Sequence, residues 1–192
     1  MKNLAKIFFS PRTAVILLGS LVTASIAGFL MLDLSDAVFG ALLAAIVLFV
    51  AAVDVERFEI PELANLAIFA LGLAWTMNAF GFDAYNLFQT LLRAAVVGGF
   101  LLAVRIGYRL LRQSEGLGLG DVKLAGAGAT WLFWSNITLA LLVAAGAAIM
   151  LVVVKSLLKR EKVEATTAIP FGAFLAPAIW AAWFAQMAWA LG

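Results

Sequence analysis

The sequence predicts an all-α protein, a bundle of about seven membrane-spanning helices (six to seven), from three observations. Hydrophobic residues make up 65% of the 192-residue chain and charged residues only 12%. An ordinary soluble domain is about 45–50% apolar and about 25% charged. A chain of this size has too much surface to hide such an excess inside a water-soluble core. The apolar residues also form runs that approach the length a bilayer requires, about 20 residues.

Seven apolar runs are candidate spans. The first follows basic residues as a secretory signal would, but it is longer than a typical signal core and ends without a small-x-small cleavage site, so we interpret it as a retained helix. The fifth is short and Gly-rich, so we expect it to tilt or to begin below the membrane surface. In chain order the spans are Thr13–Leu32, Asp36–Val53, Glu62–Phe80, Leu87–Leu111, Asp121–Trp134, Ile137–Leu158 and Ala168–Leu191.

The distribution of basic residues predicts the orientation of these spans. Cytoplasmic segments of membrane proteins are enriched in Lys and Arg. With the amino terminus in the cytoplasm, every basic residue except Arg93 falls at the cytoplasmic side, whereas the opposite loops carry Asp33, Asp36 and Asp83. The cytoplasmic set is Lys2, Lys6, Arg12, Arg57, Arg105, Arg109, Arg112, Lys123, Lys155, Lys159, Arg160 and Lys162. Arg93, about two turns inside the outer half of a span, is expected to snorkel outward or to pair internally.

The composition also restricts the chemistry. The chain has no Cys and no His, which removes thiolate nucleophiles, imidazole bases and the usual zinc and haem ligands. We therefore expect no metal and no cofactor. The basic residues lie at the ends of apolar runs and not on a soluble face, so we expect the lipid bilayer and not nucleic acid as the partner. Hydrolytic chemistry would have to use carboxylates, hydroxyls, Lys or the backbone.

Two carboxylates stand at the predicted cytoplasmic boundary. Asp54 ends the second span and Asp121 opens the fifth. Ionisable residues within membrane segments are functional candidates. Taken singly, Asp54 is equally compatible with a solvated helix end, and Asp121 with a helix cap. Taken together, two carboxyl groups on one side of the membrane can share a proton, so that one activates water while the other polarises a carbonyl.

A glycine-rich segment precedes Asp121. Gly116, Gly118 and Gly120 permit positive φ angles and close backbone approach, so an extended substrate peptide could hydrogen-bond to the main chain of this segment. The segment lacks the Gly-Lys-Ser/Thr ending of a phosphate-binding loop. A dinucleotide-binding fold is also excluded, because it requires neighbouring β-strands and these apolar segments are predicted to be helices.

Three motifs in order resemble those of the type IV prepilin peptidase family, a group of GxGD intramembrane aspartyl proteases. Asp54 followed by Pro61 is similar to the family's Asp-x6-Pro. The segment Gly118-Leu-Gly-Asp-Val-Lys-Leu124 resembles its Gly-x-Gly-Asp-x-Lys-Leu, and Ile169-Pro-Phe-Gly-Ala-Phe174 resembles its Ile-Pro-Phe-Gly-Pro-Phe. The resemblance covers about residues 37–180.

The resemblance implies that Asp54 and Asp121 are the catalytic pair. The substrate would be a prepilin-like precursor, such as a Tad/Flp pilin or a pseudopilin, cut at the cytoplasmic face of the bacterial inner membrane. Residues 1–35 would be an amino-terminal segment with the first span, and residues 36–192 the membrane catalytic domain. The remaining motif residues are candidates for substrate binding or loop structure, namely Gly118, Gly120, Lys123, Pro61, Pro170 and Gly172.

The sequence departs from the family pattern at two positions. Glu62 stands where many members have Asn or Asp, and Ala173 where they have Pro. Neither is expected to touch the catalytic pair. In having no Cys, the chain resembles a short, peptidase-only form of the family that lacks the cysteine-containing cytoplasmic domain. This resemblance leaves N-methyltransferase activity in doubt. The sequence leaves the oligomeric state open.

Two other functions remain compatible with the sequence. A small transporter could use the intramembrane Asp residues to bind a cation or a proton, but it would require a polar path through the bundle. An inactive relative that assists assembly is the second alternative, and the intact Asp54 and Asp121 argue against it.

Overall fold

The structure is a computed structural model that describes residues 32–113, 116–159 and 169–190. Every regular element within these residues is an α-helix, the expected form for apolar segments whose backbone polar groups must be paired within the segment. The first predicted span, Thr13–Leu32, lies outside the described residues except for Leu32. The helices are α1 (Leu34–Arg57), α2 (Glu62–Phe80), α3 (Ala84–Arg112), α4 (Leu119–Gly128), α5 (Trp134–Lys159) and α6 (Gly172–Ala190).

Local chemistry explains where several helices begin and end. Phe58 adopts a left-handed conformation after α1, and its N–H donates to the carbonyl of Asp54. Pro61 is the N-cap of α2, and Gly81, at φ 76°, ends that helix. The Asp83 side chain caps α3 by accepting the backbone N–H groups of Tyr85 and Asn86. The second, third, fourth, sixth and seventh predicted spans therefore correspond to α1, α2, α3, α5 and α6.

Four helices are long and apolar enough to cross a membrane, namely α1, α2, α3 and the segment Trp134–Val154 of α5. Large apolar side chains of α3 and α5 point outward, as expected of surfaces that contact lipid. The chain is accordingly a multi-pass membrane protein.

The fifth predicted span, Asp121–Trp134, is wrong as a membrane-crossing helix. Helix α4 has only 10 residues and rises about 15 Å, half the thickness of a bilayer core. Thr130 and Trp131 continue in turns closed by hydrogen bonds from their N–H groups to Ala127 and Gly128. The small residues of this segment allow the short helix α4 to lie buried between α2, α3 and α6.

Helix α4 lies inside an arc formed by the other helices. It packs against α2, α3 and α6, while α6 also packs against α1 and α5. The core beyond α4 is built around three buried Trp rings, Trp75, Trp131 and Trp183, with centroid separations of 5.8–6.0 Å. This rigid centre fixes where the first turn of α4, and hence Asp121, lies.

Candidate active site

Asp54 lies in the last turn of α1 and is buried, with 4% of its surface exposed. Its Oδ2 atom accepts a 2.8 Å hydrogen bond from the backbone N–H of Ala173, in the first turn of α6. The N–H of Gly172 also faces this carboxyl group. The interpretation of Asp54 as a solvated helix end is therefore wrong, because the amino terminus of α6 covers it.

Asp121 is the third residue of α4, whose N-cap is Gly118. Asp121 is therefore not the helix cap that its position in the sequence allows. Its carboxyl group reaches back over Gly118, where an added Cβ would lie 2.8 Å from Oδ2. Burial, and then the negative charge of Asp54, raise the pKa of Asp121 to about 6, although the N–H groups of Gly118 and Gly172 act in the opposite direction.

The two carboxyl groups meet at Gly172. A Cβ added to this glycine would lie 3.0 Å from Oδ2 of Asp54 and 3.1 Å from Oδ1 of Asp121. The two oxygens therefore cannot be farther apart than the sum of these distances. Three segments that are distant in the sequence, the end of α1 and the beginnings of α4 and α6, form one site.

The loop between α1 and α2 closes this site through Ile60. A Cβ on Gly120 would lie 3.1 Å from the Cβ of Ile60, and one on Gly172 would lie 2.6 Å from its Cδ1. Pro61 follows at once as the N-cap of α2, and the half-buried Pro170 directly precedes the first turn of α6. These motif residues shape the backbone around the two Asp residues.

The glycines before Asp121 serve close approach. Gly118 has φ −63°, and among the described glycines only Gly81 has a positive φ. A Cβ on Gly116 would lie 2.6 Å from the ring of Tyr108 in α3. The guanidinium of Arg105 donates to the carbonyl of Leu117. Helix α3 thus holds the segment that leads into α4.

Of the two departures from the family pattern, Ala173 contacts one of the two Asp residues, contrary to expectation, whereas Glu62 contacts Lys123. Ala173 supplies the N–H that binds Asp54. Glu62 forms an ion pair with Lys123, two residues after Asp121. Sequence reasoning missed both contacts because a backbone donor has no side-chain signature, and because Glu62 and Lys123 are 61 positions apart.

Arg93 pairs internally, as one of the two expectations for it allowed. Its guanidinium donates to the hydroxyl of Thr90 at 2.8 Å and lies 5.8 Å from the ring centroid of Phe133. Neither contact involves Asp54 or Asp121. Among the described residues, no group of three or more His, Cys, Asp or Glu side chains is arranged to hold a metal ion.

Comparison with known proteins gives the family. The type IV leader peptidase family matches residues 41–154, more than half of the chain. The chain belongs to this family. Both halves of the site are inside or close to the matched range, because Asp54 and Asp121 lie within it and Gly172 follows it.

The relatives of this chain within the type IV leader peptidase family include the following bacterial proteins. The prepilin leader peptidase/N-methyltransferase of Burkholderia pseudomallei is 34% identical over 165 residues, which cover 82% of this chain and 49% of that protein. That of Stutzerimonas stutzeri is 34% identical over 131 residues, or 68% of this chain and 43% of that protein. Leader peptidase HopD of Escherichia coli is 42% identical over 85 residues, which cover 44% of this chain and 54% of that protein. The chain thus spans about half the length of these relatives. No solved structure shows a significant match.

Proposed function

We propose that this protein is an intramembrane aspartyl endopeptidase that removes the leader peptide of type IV prepilin-like precursors. The observation that carries the proposal is the meeting of Asp54 and Asp121 at Gly172. Two carboxyl groups that close to each other resist simultaneous ionisation and share a proton. The relatives, a prepilin leader peptidase/N-methyltransferase and a leader peptidase among them, support the same reaction class.

Their surroundings support different roles for the two carboxyl groups. Asp54 accepts a backbone N–H at the positive end of α6, a contact that offsets part of the cost of burying its ionised form. The pKa of Asp121 is raised to about 6, which favours the protonated form. Asp54 is thus the general base and Asp121 the general acid.

The reaction follows from these roles. Asp54 takes a proton from water, and the hydroxide adds to the scissile carbonyl carbon while Asp121 donates its proton to the carbonyl oxygen. Breakdown of the resulting gem-diol breaks the C–N bond: the proton held by Asp54 goes to the leaving amine, and Asp121 takes back a proton from one hydroxyl as the new carboxyl group forms. No group outside the chain is required for this proton balance.

The charge distribution supports a site that faces the cytoplasm. Arg57, Arg105 and Lys123 lie at the end of the bundle that contains the Asp pair, whereas Asp36 and Asp83 lie at the opposite ends of their helices. Lys and Arg are enriched on the cytoplasmic side. The pilin leader would then be cut at the inner face of the bacterial inner membrane.

The test is cleavage of a cognate prepilin in membranes that contain the wild type, Asp54→Asn or Asp121→Asn. We expect each variant to lose leader cleavage while accumulating normally, because Asn can neither take up nor release the shared proton. Asp33→Asn, at an exposed position at the other end of the bundle, is the matched control and should cleave normally. Full processing by either active-site variant contradicts the proposal. The mass of the new amino terminus distinguishes cleavage alone from cleavage followed by N-methylation.

A further inference from the structure

One ion pair joins the first turns of α2 and α4. The ammonium group of Lys123 binds the carboxylate of Glu62. The side chains are partly exposed, at 40% for Lys123 and 74% for Glu62. An exposed ion pair contributes about 0–1 kcal/mol to folding, so this contact is a weak source of stability. Its position beside the Asp pair is more informative than its strength.

Each partner is closely tied to one catalytic Asp. Glu62 follows Pro61 directly, and the short loop before it leads back to Asp54 at the end of α1. Ile60 in that loop packs on Gly120. Lys123 is two residues from Asp121 in the same short helix. The ion pair therefore connects the segment that carries one Asp with the segment that carries the other.

Because of the helical geometry of α4, the ion pair can resist rotation of this helix about its own axis. Residues two apart in an α-helix are separated by about 200° around the axis, so Lys123 and Asp121 project from nearly opposite sides. A rotation of α4 that moved Asp121 away from Asp54 would also pull Lys123 away from Glu62. The N-cap Gly118 offers no side-chain hydrogen bond to resist such a rotation.

We propose that Glu62 and Lys123 are positioning residues, which hold α4 in the orientation that brings Asp121 to Asp54. The inference rests on the proposed peptidase function. The two residues act through geometry, since burial, the charge of Asp54 and the backbone N–H groups of Gly118 and Gly172 account for the shifted pKa of Asp121. Loss of the pair should therefore reduce kcat and leave the limbs of the pH profile unchanged.

The activity test reverses the charges singly and together. Glu62→Lys and Lys123→Glu each place like charges in contact, and we expect kcat to fall about tenfold or more with a small change in KM, as for a slightly misplaced catalytic group. The double variant Glu62→Lys/Lys123→Glu restores the attraction and should return kcat to within about threefold of the wild type. Glu59→Lys makes the same charge change at an exposed position of the same loop and should keep the wild-type kcat.

A second measurement reports the geometry without requiring cleavage. The chain has no Cys, so Asp54→Cys/Asp121→Cys carries the only thiols. We expect a short thiol cross-linker to join them efficiently, poorly once Glu62→Lys is added, and efficiently again in the charge-swapped background. Unchanged cross-linking in the Glu62→Lys background, or single reversals with normal kcat, overturn the inference. If the wild type cleaves no prepilin but the cross-linking pattern is as expected, the proposed function fails and the positioning role stands.

Discussion

Gly172 is the residue at which the absence of a side chain matters most. Its Cα lies between two carboxyl groups and against Ile60, so a methyl group there would contact all three. Asp54 and Ile60 belong to the end of α1 and the loop that follows it, whereas Asp121 belongs to the first turn of α4. A glycine at the start of α6 thus leaves room for the two carboxyl groups to approach each other.

Replacement of Gly172 by Ala should therefore impair catalysis more than folding. We expect Gly172→Ala to reduce the cleavage rate about tenfold or more, because a displacement of catalytic groups by about 1 Å has effects of that order or larger. Ala is a better helix former than Gly, so the melting temperature should change little. The control is Gly99→Ala in α3, where an added Cβ meets open space. A Gly172→Ala enzyme with the wild-type rate would contradict this role for the glycine.

The pKa of Asp121, raised to about 6, predicts the pH dependence of the reaction. The general acid must be protonated, so activity is lost as the pH rises through its pKa. We expect kcat/KM to decline above about pH 6, and kcat, which reports the substrate complex, to decline at a higher pH because bound peptide excludes further water. Cleavage rates measured in liposomes across this range check the prediction. A kcat/KM that still increases from about pH 7 to about pH 8 would exclude Asp121 as the acid.

The sequence was sufficient to identify the two Asp residues and insufficient to describe their surroundings. A carboxylate at the end of an apolar run is conspicuous because its burial is costly, so Asp54 and Asp121 were recognisable as a candidate pair, although neither was decisive alone. The contacts of Ala173 and Ile60 could not be recognised in the sequence, because an Ala backbone N–H and an Ile side chain occur throughout the chain and nothing in the sequence marks these two as neighbours of the Asp pair. Such contacts depend on which helix ends meet, and that is decided by packing of the whole bundle.

At the scale of helices, α4 shows the limit of composition as a guide. The run from Asp121 to Trp134 consists mostly of apolar and small residues, yet regular helix ends at Gly128. Apolar content reports that a segment is removed from water and does not distinguish burial in lipid from burial in protein. The long helices were predicted to within four residues of their ends, because the apolar runs themselves mark where these helices begin and end.

Close packing of α2 on the segment after α4 gives a prediction on stability. A Cβ at Gly72 would lie 1.9 Å from Oγ1 of Thr130, which is hydrogen-bonded to Ala127 and has little freedom to move. We expect Gly72→Ala to destabilise the protein by about 1–3 kcal/mol, the usual cost of an overpacked core. Unfolding in detergent, followed through the buried Trp residues, measures this change. Gly146→Ala in α5, where an added Cβ meets open space, should be neutral or stabilising, and equal effects of the two substitutions would refute the packing argument.

For the molecule as a whole, the bundle has two chemically different ends. One end contains the Asp pair, the ion pair of Glu62 with Lys123 and the Arg-rich end of α3. The other contains Asp36, whose carboxylate accepts a hydrogen bond from Trp75, and the Asp83 cap of α3. Since the helices on either side of each short loop run in opposite directions, the loops alternate between the two ends.

This asymmetry predicts the labelling of single cysteines introduced into the Cys-free chain. Glu59→Cys lies at an exposed position in the loop beside the Asp pair, and Phe82→Cys replaces a side chain that is 89% exposed at the other end. In intact cells whose outer membrane has been made permeable, a membrane-impermeant thiol reagent should label Phe82→Cys and label Glu59→Cys only after lysis. The reverse pattern would place the site on the periplasmic side and reject the proposed cytoplasmic cleavage.

The origin of the site in three separate helices has a consequence for biosynthesis. Asp54 emerges from the ribosome early, Asp121 much later, and Gly172 and Ala173 only near the end of the chain. Until α6 has formed and packed against α1, the contacts of Gly172 and Ala173 with the two carboxyl groups cannot form. If the protein has the proposed function, a nascent chain that still lacks α6 should therefore be unable to cleave a precursor inserted beside it.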